Sequence, residues 1–503
     1  MIKRISAFLL NIGLIWFSCF TLAQAQEAAD SLSLKASTGV LLSTEEFNPF
    51  YLVHNRWGTV TNKQDAFIQV DGNYRTRINN YWSANFGVGL RNSDVYKAYG
   101  SVSFRRFSLW AGINPRIIGG IQNNRLTTGS LSNGYNALPL PTIGFEIRDF
   151  INLPLTFGYL KFRGFVSHGW FEEDRYISQP LLHQKQFEVV LDLEKHIGLK
   201  IYSSLIHSAQ YGGTDPLGEK QPSSLKDFKK VFLGSGIPNP HGGTGGEANG
   251  LGNHLGITEW TIDKNLGDWR LSLNYQKPFE DLGSIQYISF KDFLAGVRLM
   301  LPPKFLVSEI YFELVRSMSQ SGPGLPDATD EVQTIEDNHG YKFGGRDDYF
   351  NNWLYQSGWT HKGRIISNPL FLTYAWSGQF LGVFPNYENE IINNRLKAYH
   401  FGAILEPDKT LSLRVMLTAT ENFGTYAGLY EGRFAWNGII ENNDFEYVFL
   451  GGKWQFYSLI EASKETKLLG KPVFINGLLA VDRGELYNNL GIELGVTFVL
   501  KSY

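Results

Sequence analysis

The stretch "IQVDGNYRTRINNYWSANFGVGLR", Ile68–Arg91, decides the fold. Ile68, Val70, Gly72, Tyr74, Thr76 and Ile78 share one parity; Gln69, Asp71, Asn73, Arg75 and Arg77 hold the other. Past Asn79–Asn80 the alternation resumes, with Trp82, Ala84, Phe86, Val88 and Leu90 set against Ser83, Asn85, Gly87, Gly89 and Arg91. Successive side chains of a strand point to opposite faces. Two such runs around a tight turn therefore predict a hairpin with one apolar and one polar face.

The same period recurs along the chain. It is found in Phe187–Leu193, in Trp269–Gln276, in Leu411–Asn422 and in the last residues, "GIELGVTFVLKSY", Gly491–Tyr503. There Ile492, Leu494, Val496, Phe498 and Leu500 form a stripe opposite Glu493, Gly495, Thr497 and Lys501. In Leu306–Arg316 the second face mixes Glu309 and Glu313 with Val307, Tyr311 and Val315.

A soluble sandwich turns its apolar faces inward, whereas an outer-membrane barrel turns them to lipid and its polar faces to the lumen. Three features favour the barrel: a signal peptide without disulfides, a surplus of aromatics, and segments of about ten residues, the length a tilted strand needs to cross. Residues 1–25 have the form of a signal peptide: Lys3 and Arg4, an apolar run to Leu22, and "AQA" at 23–25. The single cysteine, Cys19, falls inside that segment, so the mature chain is expected to have no disulfides or cysteine-based metal sites. Aromatic residues make up 15% of the 503, and many fall near strand ends (Tyr81–Trp82, Trp110, Trp170–Phe171, Trp353, Tyr355), as interfacial girdles require. No later run has the apolar length of a membrane-spanning helix, so a crossing chain must close its strands into a barrel.

Cleavage after residue 25 leaves 44 basic side chains against 48 acidic, a balance that weighs against nucleic-acid binding. Residues 26–503 show no composition break and are expected to form one barrel domain, with 26–64 as an N-terminal strand or plug segment. "LKASTGVLL" in that region alternates like a strand rather than a helix. The long Gly-, Pro- and Asn-rich connections 212–253 and 320–352 are expected at the cell surface or folded into the lumen. Within the first of these, "PSSLKDFKKVFLG" predicts a short helix capped by Ser223 or Ser224.

No catalytic constellation stands out. The glycines of Gly242–Gly256 lack the Lys-Ser/Thr of a phosphate-binding loop. The ten histidines are not at metal spacing, and in a barrel wall each reads as a lumen polar group. The acidic runs Glu172–Asp174 and Glu280–Asp281 read as turn residues. No catalytic residues, metal or cofactor are expected. A lumen and loops rich in Asn, Asp, Arg, Tyr and Trp suit saccharides, offering ring faces and bidentate polar groups. The same composition suits a porin.

"GEANGLGNHLG" (Gly246–Gly256) with "YQKPFEDLGS" (Tyr275–Ser284), preceded by "HSAQYGG" (His207–Gly213) and followed by "DYFNNWLYQSGWTHKGRIISNPLF" (Asp348–Phe371) and "NNRLKAYHFG" (Asn393–Gly402), resembles the capsule-assembly Wzi family of outer-membrane proteins. The resemblance implies a transmembrane antiparallel barrel of about 18 strands with long extracellular loops. It further implies location in the outer membrane of a Gram-negative bacterium and a lectin role, not an enzymatic one, in attaching capsular polysaccharide or exopolysaccharide at the cell surface. Outer-membrane lipid and the polysaccharide export machinery are the other expected partners. The matching polar residues Asn253, His254, Glu280, Asp281, Asn351, Asn352 and Arg395 are the candidate polysaccharide contacts. The alternative is a substrate-specific porin or transporter for saccharides or other small polar solutes. The periplasmic helical bundle of familiar members has no counterpart in the periodicity of residues 26–64.

Overall fold

The structure, a computed structural model, describes residues 30–121, 124–234, 251–280, 291–320, 349–352, 354–381, 390–425 and 448–502. The segment read as a signal peptide, Trp353 and Asp281 lie outside these.

Eighteen strands form one closed antiparallel sheet. The first nine are β1 (Ser31–Ser43), β2 (Asp65–Arg77), β3 (Trp82–Arg91), β4 (Asp94–Phe104), β5 (Phe107–Ile113), β6 (Pro141–Asn152), β7 (Leu160–Trp170), β8 (Leu181–Leu193) and β9 (Leu199–Tyr211). Then come β10 (Asn253–Leu266), β11 (Trp269–Phe279), β12 (Phe293–Met300) and β13 (Val307–Ser317). Two small hairpins inside the barrel follow, β14 (Thr360–His361) with β15 (Arg364–Ile365), and β16 (Leu372–Thr373) with β17 (Ile391–Asn393). The wall is completed by β18 (Leu396–Asp408), β19 (Leu411–Asn422), β20 (Lys453–Leu468), β21 (Lys471–Gly484) and β22 (Asn489–Ser502). Each wall strand pairs with its neighbours in sequence, and β22 pairs with β1 to close the ring.

The closing strand has the orientation its stripe implies. Leu494 is 55% exposed on the outside while Glu493 is buried inside. Ile68, Val88, Leu109, Phe187, Phe312 and Phe456 are likewise exposed on the outer wall. Tyr81, Trp82 and Trp170 are outward-facing aromatics at strand ends. Trp110, Phe171 and Tyr355 depart from the expected girdle. All three are buried in the interior, Trp110 beneath the guanidinium of Arg116 at 3.9 Å. No helix among the described residues is long and apolar enough to cross a membrane.

Connections at the two ends differ. At one end they are short (78–81, 105–106, 267–268, 409–410, 469–470), and the start of β1 and the end of β22 lie there. At the other end lie 44–64, 114–140, 171–180, 212–252, 318–395 and 423–452. Residues 44–64 and the described parts of 114–140 and 349–395 turn back into the lumen and form a plug. Their apolar side chains, among them Phe50, Leu52, Leu126, Trp359, Phe371 and Trp376, build a core with inward residues of the wall such as Tyr311, Val315 and Tyr457. This explains the mixed face of β13: Tyr311 and Val315 point inward because they pack against the plug. Residues 44–64 contribute one helical turn, α1 (Phe50–Val53), and no bundle.

The seam also sets a local geometry inside. Gly39 faces Gly495 across it, and a Cβ on Gly39 would lie 2.8 Å from the Phe67 ring and 2.4 Å from the Leu494 carbonyl. Two glycines let Phe67 lie flat over the junction.

The exposure of Leu494 generates a direct test. Leu494→Arg places a charge near mid-strand on the outer face and is expected to destabilise the barrel by about 2–4 kcal/mol in lipid. Urea unfolding in vesicles measures this, and an unchanged midpoint would mean that the face does not meet hydrocarbon.

Candidate functional site

Irregular backbone inside a barrel must find hydrogen-bond partners away from bulk water. In the plug, wall side chains supply them. Glu313 of β13 accepts from the Thr127 hydroxyl at 2.6 Å and from the Thr128 N–H at 3.1 Å. Gln276 of β11 accepts from the Leu131 N–H at 3.0 Å, and its amide donates to Glu259. His400 of β18 bonds the Leu126 carbonyl, and Asp482 of β21 accepts from the Phe50 N–H at 2.6 Å. The plug segments also bond one another. Trp359 Nε1 donates to the Ser132 carbonyl at 3.0 Å, Asn136 Nδ2 to the Ile365 carbonyl at 3.1 Å, and Asn55 Nδ2 to the Thr128 carbonyl at 2.7 Å.

Two ion-pair clamps hold the plug to the wall. Arg56 of the 44–64 segment reaches β22, where its two terminal nitrogens grip both carboxylate oxygens of Glu493, one at 2.9 Å. Burial opposes the Arg56 charge, but the Glu493 carboxylate outweighs it and raises the pKa. The second clamp joins the 171–180 connection to the 349–381 segment. Glu172 pairs with His361 and accepts from the Lys362 N–H at 3.0 Å. Arg175 donates to the Thr360 carbonyl at 2.6 Å and the Gly358 carbonyl at 2.9 Å. Burial pushes the Glu172 pKa up, yet His361, Arg175 and the Lys362 N–H together bring it down to about 2.

On the short-turn side of the plug lies a cavity of about 300 Å³. Strand residues Ser37, Gln69, Arg91, Arg414, Glu461 and Glu493 line its sides, and His54, Asn55 and Arg125 of the plug line its roof. Arg414 is held by Glu461, with Nε 2.7 Å from the carboxylate. Arg91 is 1% exposed and stacks on Phe67 at 3.7 Å, the ring that the Gly39–Gly495 pair accommodates. Burial and the nearby Arg364 charge lower the His54 pKa to about 3, so this ring is neutral.

The residues singled out by sequence occupy other places. Asn351 is paired through its side chain with the Ile391 backbone, donating to the carbonyl at 2.8 Å and accepting from the N–H at 3.1 Å. Asn352 accepts from the Leu354 and Tyr355 N–H groups, closing a turn. Glu280 accepts from the Phe350 N–H at 3.2 Å. The Arg395 N–H donates to the Gly424 carbonyl at 2.9 Å. These four gather at the loop end of the plug. Asn253 is buried at the start of β10 opposite Gln210, which itself donates to the Gly358 carbonyl. His254 has the opposite parity and faces outward.

His254 introduces a correction. His183, His207 and His254, read as lumen groups, lie on the outer side of the wall. His207 Nε2 and His254 Nδ1 are 2.8 Å apart. His183 is sheltered by α3 (Leu225–Leu233), the third helix after α1 and the single turn α2 (Glu194–Ile197). Ser224 caps α3 in a reciprocal box with Asp227, as the sequence predicts. Phe228 and Phe232 of α3 lie 5.3 and 5.2 Å from the His183 ring. The cavity arginines went unnoticed in the sequence. Arg91 was legible as an inward residue, but nothing local showed which carboxylates would reach it.

Removing one partner of the first clamp leaves Glu493 buried without its cation. Arg56→Met is expected to lower stability by about 1–3 kcal/mol, below the range for fully buried pairs because Arg56 is partly exposed. Denaturant midpoints in detergent measure it, and Arg56→Met with Glu493→Gln should recover part of the loss. The Glu172 clamp carries a pH dependence. Its folded pKa lies below the unfolded value of 4.5, so its contribution is complete above that value and is lost as pH falls toward about 2. Hydrogen exchange in residues 358–362 should rise over that window, and in Glu172→Gln it should already be high at neutral pH.

No known family profile matches the sequence, and neither does any curated protein. Solved structures do match. Wzi of Escherichia coli, described as a carbohydrate-binding β-barrel involved in group 1 capsule assembly, aligns over 93% of this chain and 84% of its own at 14% identity, with a TM-score of 0.55. OccK5 (OpdH) of Pseudomonas aeruginosa aligns over 94% and 98% at 9% identity, TM-score 0.44. OmpT, an outer membrane protein of Vibrio cholerae, aligns over 94% and 99% at 7% identity, TM-score 0.35. The chain thus has the fold of an outer-membrane β-barrel, similar in architecture to Wzi.

Proposed function

We propose that this protein is an outer-membrane barrel that binds capsular polysaccharide or exopolysaccharide at its loop end and helps hold it at the cell surface. The observation that carries the reading is the plug. Three chain segments bonded to the wall and to one another leave the lumen suited to a rigid scaffold, not to free diffusion of solutes. The likeness to Wzi, a carbohydrate-binding barrel, supports the same reading. The short-turn end faces the periplasm in this reading, with the long connections outside. Glu280, Asn351, Asn352 and Arg395 organise the base of that outer surface by fixing plug backbone. Asn253 braces it from the wall. Binding, not catalysis, is the role, with polysaccharide and outer-membrane lipid as partners and the export machinery as the source of polymer.

Deleting the gene tests this. Polymer that is normally cell-bound should appear in the medium, with total synthesis unchanged; unaltered retention would remove the proposal. Planar-bilayer recording separates the porin alternative. The plugged barrel should give no steady open channel, and a stable conductance that saccharides block would favour transport.

A further inference from the structure

The cavity beneath the plug has an uneven charge balance. Among the described residues its lining includes Arg56, Arg91, Arg125 and Arg414 but only two carboxylates, Glu461 and Glu493. Both carboxylates are committed, Glu493 to Arg56 and Glu461 to Arg414. Arg91 therefore has no carboxylate of its own. Its Nη1 donates to Gln69 Oε1 at 3.3 Å, while Nε and Nη2 have no hydrogen-bond partner among the described residues. Of the other acids on this face of β2, Asp71 is taken by Lys97 at 2.6 Å and Asp65 accepts from the Asn92 amide at 3.0 Å. Arg125 extends from the plug as an exposed side chain lining the same space. A buried guanidinium is stable when an anion completes its hydrogen bonds, and its planar fork matches a carboxylate in two-point contact.

The rest of the lining suits a sugar ring. Tyr51, Tyr135 and Phe67 offer flat or phenolic surface, and Asn55 Oδ1 and His54 Nε2 have no hydrogen-bond partner among the described residues. His54 Nδ1 lies 2.8 Å from Asn136 Oδ1; with the neutral ring donating there, Nε2 is an acceptor for a hydroxyl. A volume of about 300 Å³ is at the small end of ligand pockets, suited to one or two rings. We propose that this cavity binds the carboxylate of an acidic sugar, a uronate, which enters from the short-turn mouth, with Arg91 and Arg125 as its anion contacts. The inference rests on the saccharide reading above and places a second saccharide site on the opposite side of the plug from the loops.

Titration calorimetry of the purified full-length barrel in detergent tests it, with galacturonate and glucuronate, neutral galactose, and inorganic phosphate as probes. At least one uronate should bind, galactose should bind about tenfold more weakly or not at all, and added salt should weaken the uronate. Arg91→Met and, independently, the exposed Arg125→Ala should each reduce uronate affinity about tenfold, while Arg91→Lys should restore only part, because a lysine lacks the planar fork. Galactose binding as tightly as both uronates, or both variants binding like the wild type, would overturn the proposal. Phosphate binding more tightly than either uronate would overturn the assignment to a sugar acid. Cells carrying Arg125→Ala distinguish the two readings. Polymer still retained with uronate binding lost keeps the cavity separate from the loop-end site, whereas polymer shed by the gene deletion has no bearing on uronate binding in vitro.

Discussion

Irregular chain inside a barrel is tolerated only where its N–H and C=O groups are bonded, and this requirement organises the molecule. The plug contains little regular structure, so part of its backbone cannot be satisfied within the plug. Inward side chains of the wall do it instead: Glu313 for Thr127 and Thr128, Gln276 for Leu131, Asp482 for Phe50 and His400 for Leu126. An unmet group of this kind is costly to bury, which explains why so many Gln, Glu, Asn and Thr residues point inward at plug height. Nearer the short-turn end the inward residues pair differently. There charged side chains bridge neighbouring strands, as in Arg270–Asp263 and Arg298–Glu309.

These two regimes give the lumen its layered character. Above, the wall and plug share an apolar core and a hydrogen-bond network; below, ion pairs line an aqueous vestibule. The cavity with Arg91 lies where the regimes meet. Its geometry traces back to the seam: the Gly39–Gly495 pair admits the Phe67 ring, and that ring carries the guanidinium on its face. Cation–π contact stabilises such a charge without neutralising it.

Alternation made the wall legible in the sequence, because one lipid-facing parity leaves an apolar stripe whatever the lumen contains. The α3 cap was legible too, since Ser224 and Asp227 act within four residues of each other. The plug was not. An inward Gln or Glu reads the same whether it faces water or holds a distant N–H, and Gln276 gives no local sign that Leu131 lies beside it. The candidate residues illustrate the same limit. Asn351 and Asn352 were recognised as polar residues in a distinctive block, but their roles in stitching Ile391 and closing a turn depend on contacts across the plug. Histidines 183, 207 and 254 were misplaced because their parity was overridden by their type: a polar residue on the outer face is unexpected until a helix is found covering it.

Arg56 and Glu493 stand 437 positions apart, one in the first connection of the barrel and the other on its last strand. The 44–64 segment is tethered at both ends, to β1 and β2, and its clamp needs β22 in place beside β1. Ring closure and the locking of this segment are consequently a single event in the order of assembly. A barrel with an open seam would hold the segment unlatched, and the strand that completes the wall also fixes part of its interior.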